Sequence, residues 1–424
     1  MATDSLLLDR NSRENFLVQH SHFVLLCAGT FCYCFFSNTR IMKLLAALLC
    51  ASGVVALNES EMQRVGEQIM QHAQELSSSH APSRFETLDM SQELERRMQQ
   101  CEQREISENC VETVAHELKH TLFSEAKTRQ GKEFLVPSTR DSRVLELMAA
   151  RELSQFAQSE MLTTLTEEFV TRNSYSDEAR RASSYLKRVL AALPGVQIES
   201  HKFRDDMSEN VVAILPGTKP SLAPIVIGSH YDCRNVNVRD KTGRAPGAND
   251  NGTGVAMNLA IASVLARSSH RLERSVEFHF YSGEEQGLFG SRALAKDYKL
   301  NGDEVHAAIN VDMLGFTADK DGEIKLGVMN QAYAKNLVQF VFDTIQLYMP
   351  GLKVDWSPGC CSDNFAWHEH GYDTIGLFES AELATDYPWY HHVEDTVDKV
   401  NLFQLEVFAQ AVMACTVELA GLSR

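Results

Sequence analysis

The chain has 424 residues, 44% of them hydrophobic, with a formal net charge of −17 at pH 7 and a pI of about 5.4. That is enough apolar material for one large α/β core and a smaller segment beside it. The acidic balance argues against nucleic acid or an anionic membrane as partner, because both are bound through basic surface.

Residues 42–56 (MKLLAALLCASGVVA) have the build of a secretory leader: Lys43 after Met42, an apolar run, then small residues at Val54, Val55 and Ala56. The run is too short to span a bilayer comfortably. A second apolar stretch, 23–36, lies upstream. The simpler account starts translation at Met42 and leaves 1–41 as an upstream extension without structure. The rival account starts at Met1 and makes 23–57 a signal anchor. Of the ten cysteines, Cys27, Cys32, Cys34 and Cys50 fall in or before the leader. Cys101, Cys110, Cys233, Cys360, Cys361 and Cys415 remain, an even set that permits disulfides without showing their pairing.

Residues 57–130 are polar, and 61–76 and 91–104 read as polar helices. A polar helical segment ahead of a secreted catalytic domain is expected to be a propeptide. Within it, His116-Glu117-Leu118-Lys119-His120 matches the HExxH pattern of single-zinc proteases. No Gly or His follows at the metzincin spacing, so a surface helix with chance spacing is the better account. Asn58 and Asn251 head glycosylation sequons. The second directly follows Asp250, where a glycan would obstruct a site, and it is expected to stay unused.

From 131 to 424 the pattern changes to alternating helices and strands. Residues 149–173, 176–193, 254–267, 287–298, 333–348 and 402–419 read as helices. Apolar runs at 211–215, 225–229, 276–281, 307–311, 324–328 and 374–378 read as strands. This alternation implies a three-layer α/β sandwich with a mostly parallel central sheet, preceded by a helical N-terminal segment. In such sheets ligands bind beyond the carboxyl ends of the strands.

Metal-type residues gather at those ends. His230 follows 225–229, with Asp232 placed to fix its tautomer through the other ring nitrogen. Asp250 lies in a glycine-rich turn before a helix, where a plain helix cap is the bland alternative. Glu284 and Glu285 are adjacent after 276–281; two neighbouring carboxylates there need a compensating cation or proton. A natural division of labour has Glu285 bind metal while Glu284 serves as base. Asp312 follows 307–311, and His391, with His392 as its alternative, lies in the Tyr390–Thr396 stretch. Imidazoles and carboxylates suit zinc. Five such ligands are too many for one tetrahedral site that also holds water, and they are the right number for two zinc ions sharing a carboxylate.

The motifs GSHYD, PGANDNGTG, YSGEEQGLFGS, NVDM, CSDNFAWHEHGY, FES and HHVEDT recur in order over 134–424. In them the chain resembles the secreted dizinc aminopeptidases of the bacterial and fungal leucine-aminopeptidase type. The resemblance implies that His230 and Asp312 bind one or other zinc, that Asp250 bridges, and that Glu285 and His391 complete the pair. It makes Glu284 the general base and selects His391 over His392, because the family's last His stands four residues before the Asp-Thr pair. It implies peptide substrates with a free N-terminus and an apolar, leucine-like first residue. The chain also departs from the family. Cys361 fits the second position of a family disulfide, but Ser357 occupies the first. Gly359 stands where relatives carry a Tyr. Cys360 or Cys361 is then free to pair with Cys233 or Cys415, or with neither. Two other readings share this fold, a single-zinc glutaminyl-cyclase-like acyl transferase and an inactive binding domain. The complete ligand set favours neither.

Overall fold

The computed structural model describes residues 15–20, 23–28, 31–36, 132–317, 322–329, 334–357, 362–380 and 387–423. The leader at 42–56, the helices expected at 61–76 and 91–104, the motif at 116–120, and Gly359, Cys360 and Cys361 lie outside the described residues. The chain divides into two compact units, 1–119 and 120–424.

In the first unit, β1 (Asn15–His20), β2 (Phe23–Ala28) and β3 (Phe31–Phe36) form an antiparallel meander. His20 pairs with Phe23, and Ala28 with Phe31. This corrects the expectation that 1–41 is without structure. The three segments are rich in Phe, Val, Leu and Tyr, which suit strands, and a two-residue spacing is the commonest hairpin connection.

The second unit begins with α1 (Ser142–Met148), α2 (Gln155–Glu167) and α3 (Asp177–Ala191). Strands β4 (Gln197–His201), β5 (Asn210–Leu215) and β6 (Ile225–His230) follow, then α4 (Thr253–Arg267), β7 (Val276–Tyr281), α5 (Phe289–Asn301) and β8 (Ala307–Val311). The unit ends with β9 (Lys325–Met329), α6 (Lys335–Tyr348), β10 (Lys353–Ser357), α7 (Asp363–Glu369), β11 (Thr374–Phe378) and α8 (Leu402–Ala420). One eight-stranded mixed sheet runs β10-β9-β11-β8-β6-β7-β5-β4. Its centre, β11-β8-β6-β7, is parallel, while β5 and β4 on one side and the β11–β9 pair on the other are antiparallel.

Some elements differ from expectation. The helix read over 149–173 is only α2, preceded by a turn at Arg151–Leu153, because Ser154 caps it by accepting from Ala157 N. Strands β4 and β10 were not visible as apolar runs. They are the edge strands, and exposed edges carry polar residues (QIESH, KVDWS).

Successive strand residues face opposite layers. On β7, Val276, Phe278 and Phe280 join the large core made with α1, α2, α4, α6 and α8. Tyr281 faces the smaller core under α5 and α7, with Leu294, Ala295 and Trp367. That second face also carries a buried polar chain. Trp367 Nε1 can only donate, and it donates to Tyr281 Oη at 2.7 Å. The Tyr281 hydroxyl proton is then free for His279 Nδ1 at 3.3 Å, which leaves the His279 proton on Nε2, facing Glu277 Oε2 at 3.1 Å. Tyr298 donates to the same oxygen at 2.6 Å. The chain fastens α7 and α5 to β7. Helix α8 is long and apolar enough to cross a membrane, but 67% of its apolar window is buried inside the protein, as a core helix.

Cys233 and Cys415 are free and buried. Cys233 Sγ donates to Ala245 O at 3.0 Å and accepts from Arg172 N at 3.2 Å. Asn251 is fully buried with Nδ2 donating to Val311 O, which leaves no room for a glycan.

The polar chain yields a direct test. Tyr281→Phe strands the Trp367 donor and is expected to cost about 1–3 kcal/mol. Urea denaturation should show a lower midpoint at unchanged slope, and an unchanged midpoint would mean that the chain contributes nothing.

Candidate active site

Parallel pairing delivers the chemistry to one sheet edge. His230 ends β6 level with Tyr281, the last residue of β7, and Gly228 is level with Asn310 on β8. Two residues beyond Asn310, just past the end of β8, Asp312 comes beside His230, with His230 Nε2 3.4 Å from Asp312 Oδ1. Glu284 and Glu285 follow β7 by three and four residues.

Asp250 arrives from the wide turn Ala248–Gly252, which is tightly specified. Gly247 has φ +57°, and a Cβ there would lie 2.5 Å from both Asp250 O and Cys233 Cβ, so only glycine fits. Fully buried Arg172 clamps the entry by donating to Tyr231 O, Leu165 O, Pro246 O and Gly247 O at 2.6–2.9 Å. Asn249 Oδ1 accepts from Gly315 N and Asn251 Oδ1 from Met313 N, which ties the turn to the loop carrying Asp312. The Asp250 side chain does not cap α4; Gly252 holds the cap position.

Asp250 lies between the two imidazoles. Its Oδ1 is 3.4 Å from His230 Nε2, and its Oδ2 is 3.1 Å from His391 Nε2. Glu285 Oε2 lies 2.9 Å from the same His391 nitrogen. Two triplets result, His230–Asp250–Asp312 and Asp250–Glu285–His391, each with donor atoms within 4.8 Å of one another. All five expected ligands are therefore together. His391 has φ +62° and stacks under Tyr390 at 3.6 Å, whereas His392 is half-exposed and belongs to neither triplet.

Whether a metal fits can be judged from this geometry. Asp250 Oδ2, Glu285 Oε1 and His391 Nε2 are buried without hydrogen-bond partners among the described residues. Orphaned groups of this kind are costly, and a cation would supply what they lack. Tetrahedral ligands about 2.0–2.1 Å from zinc stand roughly 3.4 Å apart. The observed spacings of 2.9–3.4 Å match within the small movements that binding allows.

The electrostatics agree. Burial would raise the Asp250 carboxyl, but His230 and His391 outweigh it and hold it below its ordinary value. Burial pulls His230 down, yet Asp312 and Glu284 more than offset it and leave it well above. Burial pushes Glu284 well above the usual carboxylate range, against the pull of His230 and with added repulsion from Glu285. Asp363, fully buried, is pushed up to about 7 by burial.

Asp232 does meet the other ring nitrogen of His230, through its main chain rather than its carboxylate. The main-chain carbonyl of Asp232 meets His230 Nδ1 at 3.0 Å, while its carboxylate is 3.6 Å away. That carboxylate accepts the N–H groups of Glu284 and Glu285 at 3.3 Å each, so it holds the loop of the two glutamates.

Several supporting residues were not singled out from sequence. Ser362 donates to Asp312 Oδ2 at 2.6 Å. Asp395 accepts from Asn249 N, Asp250 N and the Tyr387 hydroxyl at 2.8, 3.1 and 2.6 Å, and burial pushes it up to about 7. Glu379 accepts from Asn249 Nδ2 and Phe316 N. Arg234 Nε donates to Glu285 Oε2 at 3.0 Å. The only signal for Ser362, Glu379 and Asp395 was membership of the recurring motifs; nothing marked Arg234.

With this geometry in view, comparisons with known proteins are specific. The model of peptidase family M28 matches residues 210–416. The chain is 33% identical over 228 residues to the probable leucine aminopeptidase 1 of Trichophyton verrucosum, a match covering 51% of the chain and 60% of that relative. It is 31% identical over 271 residues to the probable leucine aminopeptidase of Arthroderma otae, covering 61% of the chain and 71% of that relative. The chain thus spans less than two-thirds of the first relative and more of the second. The crystal structure of the LapA aminopeptidase of Legionella pneumophila superposes with a TM-score of 0.61 at 22% identity, over 72% of this chain and 79% of that one. That is a likeness of fold.

Asp395→Asn turns one of three inward-pointing donors against an amide. It should loosen Asp250 and lower zinc affinity about 10–100-fold, the usual weight of a partner that orients a ligand. Zinc titration of purified protein measures this, and an affinity within twofold of wild type would remove Asp395 from the site.

Proposed function

The chain belongs to peptidase family M28, and from that premise we propose that it is a secreted, zinc-dependent aminopeptidase that hydrolyses the N-terminal residue from peptides. The observation that carries the reading is Asp250 shared between two ligand triplets. His230, Asp312 and Asp250 would hold one zinc ion; Asp250, Glu285 and His391 would hold the second. When bound, zinc supplies Lewis acidity, making water ionisable near neutral pH and polarising a carbonyl.

The protein's own groups do the rest. Glu284, adjacent to Glu285 with its backbone pinned by Asp232, takes a proton from the attacking water and returns it to the leaving amine. Asp232, Ser362 and Asp395 hold the ligands and the base in place. A substrate's ammonium group is attracted by the carboxylates gathered here, which favours a free N-terminus over an acylated one. Phe316, Tyr387 and Trp389 pack ring on ring at 5.2–6.3 Å, and Tyr387 bonds to Asp395, one hydrogen bond from Asp250. This aromatic cluster supports an apolar, leucine-like first residue, in keeping with the names of the relatives. Secretion rests on the leader read at 42–56.

Three outcomes test the reading. Leucine anilide should be cleaved and N-acetyl-leucine anilide spared, and cleavage should stop on zinc chelation. One zinc per chain together with cyclisation of N-terminal glutamine would contradict it. Glu284→Gln should cost about 10²–10⁴-fold in kcat while zinc content stays at the wild-type level; near-normal turnover would mean that the base is another group. The base must be ionised to act, and burial raises the Glu284 carboxyl, so kcat/KM should fall as pH drops through a pKa above the ordinary 4.3 or so. Moving to Glu284→Asp should shift that acid limb, and a limb indifferent to position 284 would speak against the assignment.

A further inference from the structure

Given the two-metal reading above, we infer that the two positions are unequal, and that Arg234 makes the position formed by Asp250, Glu285 and His391 the weaker and more exchangeable one. Two independent differences between the triplets support this.

The first is the charge placed behind the carboxylate ligand. Asp312 takes a neutral donor, the Ser362 hydroxyl, at 2.6 Å on the oxygen turned away from His230. Glu285 instead takes a full cation. Arg234 Nε lies 3.0 Å from Oε2, the same oxygen that stands 2.9 Å from His391 Nε2. The pair is well screened from water, with the Arg234 side chain 12% and the Glu285 side chain 3% exposed. A guanidinium cannot shed its proton, so a divalent ion bound there would share its carboxylate ligand with a permanent positive charge in a low-dielectric setting.

The second is the anchoring of the imidazoles. His230 Nδ1 meets the Asp232 carbonyl at 3.0 Å, which sets the ring and puts its lone pair on Nε2, toward Asp250 and Asp312. His391 Nδ1 is buried and has no hydrogen-bond partner among the described residues. A metal-binding imidazole whose other nitrogen is unheld is less well oriented and less basic. Both differences act in the same direction.

The geometry therefore predicts ordered loading, with the first zinc going to His230, Asp312 and Asp250 and the second binding more weakly. Calorimetric titration of zinc into the chelator-treated full chain tests this directly. The wild type should show two steps separated at least tenfold in affinity. His391→Ala should lose the weak step and keep the tight one. Arg234→Gln should tighten the weak step at least tenfold and leave the tight step unchanged. Arg234→Lys keeps the positive charge and should retain the wild-type separation, which distinguishes an electrostatic effect from a packing one. Circular dichroism checks that each variant is folded, and Arg234→Lys carries the test if the glutamine variant is not: two equal steps in that variant would overturn the proposal. So would equal steps in the wild type, loss of the tight step in His391→Ala, or a weak step in Arg234→Gln that stays put or weakens. A wild-type titration that ends at one zinc per chain, rather than at two in a single step, would instead sink the two-metal reading itself, and the proposal with it.

Discussion

Asp250 stands between His230 at 3.4 Å and His391 at 3.1 Å, and the rest of the catalytic edge is built to keep it there. Its own backbone N–H and that of Asn249 are both received by Asp395, which is itself steadied by Tyr387. The side chains of Asn249 and Asn251 bond to the loop that carries Asp312, so moving Asp250 would also move Asp312. Arg172 closes the other side through four carbonyls. A carboxylate so constrained is pre-organised, and pre-organisation is what lets a site bind metal without first rearranging.

The same arrangement is electrostatically expensive. Asp250, Asp312, Glu379, Asp363 and Asp395 are all buried, with the glutamates of the β7 loop beside them. Arg172 and Arg234 answer only part of this charge. Among the described residues Arg172 bonds to carbonyls, and Arg234 bonds to the Glu285 carboxylate and the Asn235 carbonyl. Burial raises Glu284, Glu379, Asp363 and Asp395, and repulsion from neighbouring carboxylates adds to it. Divalent ions between Asp250 and its four companions would relieve it at the place where the orphaned atoms lie.

Much of this was legible in the residues. Central strands buried on both faces read as unbroken apolar runs, so β5, β6, β7, β8 and β11 were visible, and parallel topology carried His230, Glu285 and Asp312 to one edge. Edge strands β4 and β10 carry polar residues and gave no such signal. The alternation of Glu277, His279 and Tyr281 with Val276, Phe278 and Phe280 encodes the two layers beneath β7, but its meaning depends on Trp367 and Tyr298, which only the fold brings near. Long-range partners were out of reach for the same reason: Asp395 grips Asn249 across 146 residues. At Asp232 the residue is legible in the spacing but the accepting atom is not. Two residues of spacing brought both its carbonyl and its carboxylate near His230, and the carbonyl proved the closer.

The central claim is that negative charge at this sheet edge exists to hold two cations around one shared carboxylate. Anomalous scattering at the zinc edge from crystals of the zinc-loaded protein measures that most directly. The account predicts two peaks, one among His230, Asp250 and Asp312 and one among Asp250, Glu285 and His391. A single peak, or zinc bound elsewhere with these five side chains bare, would contradict it.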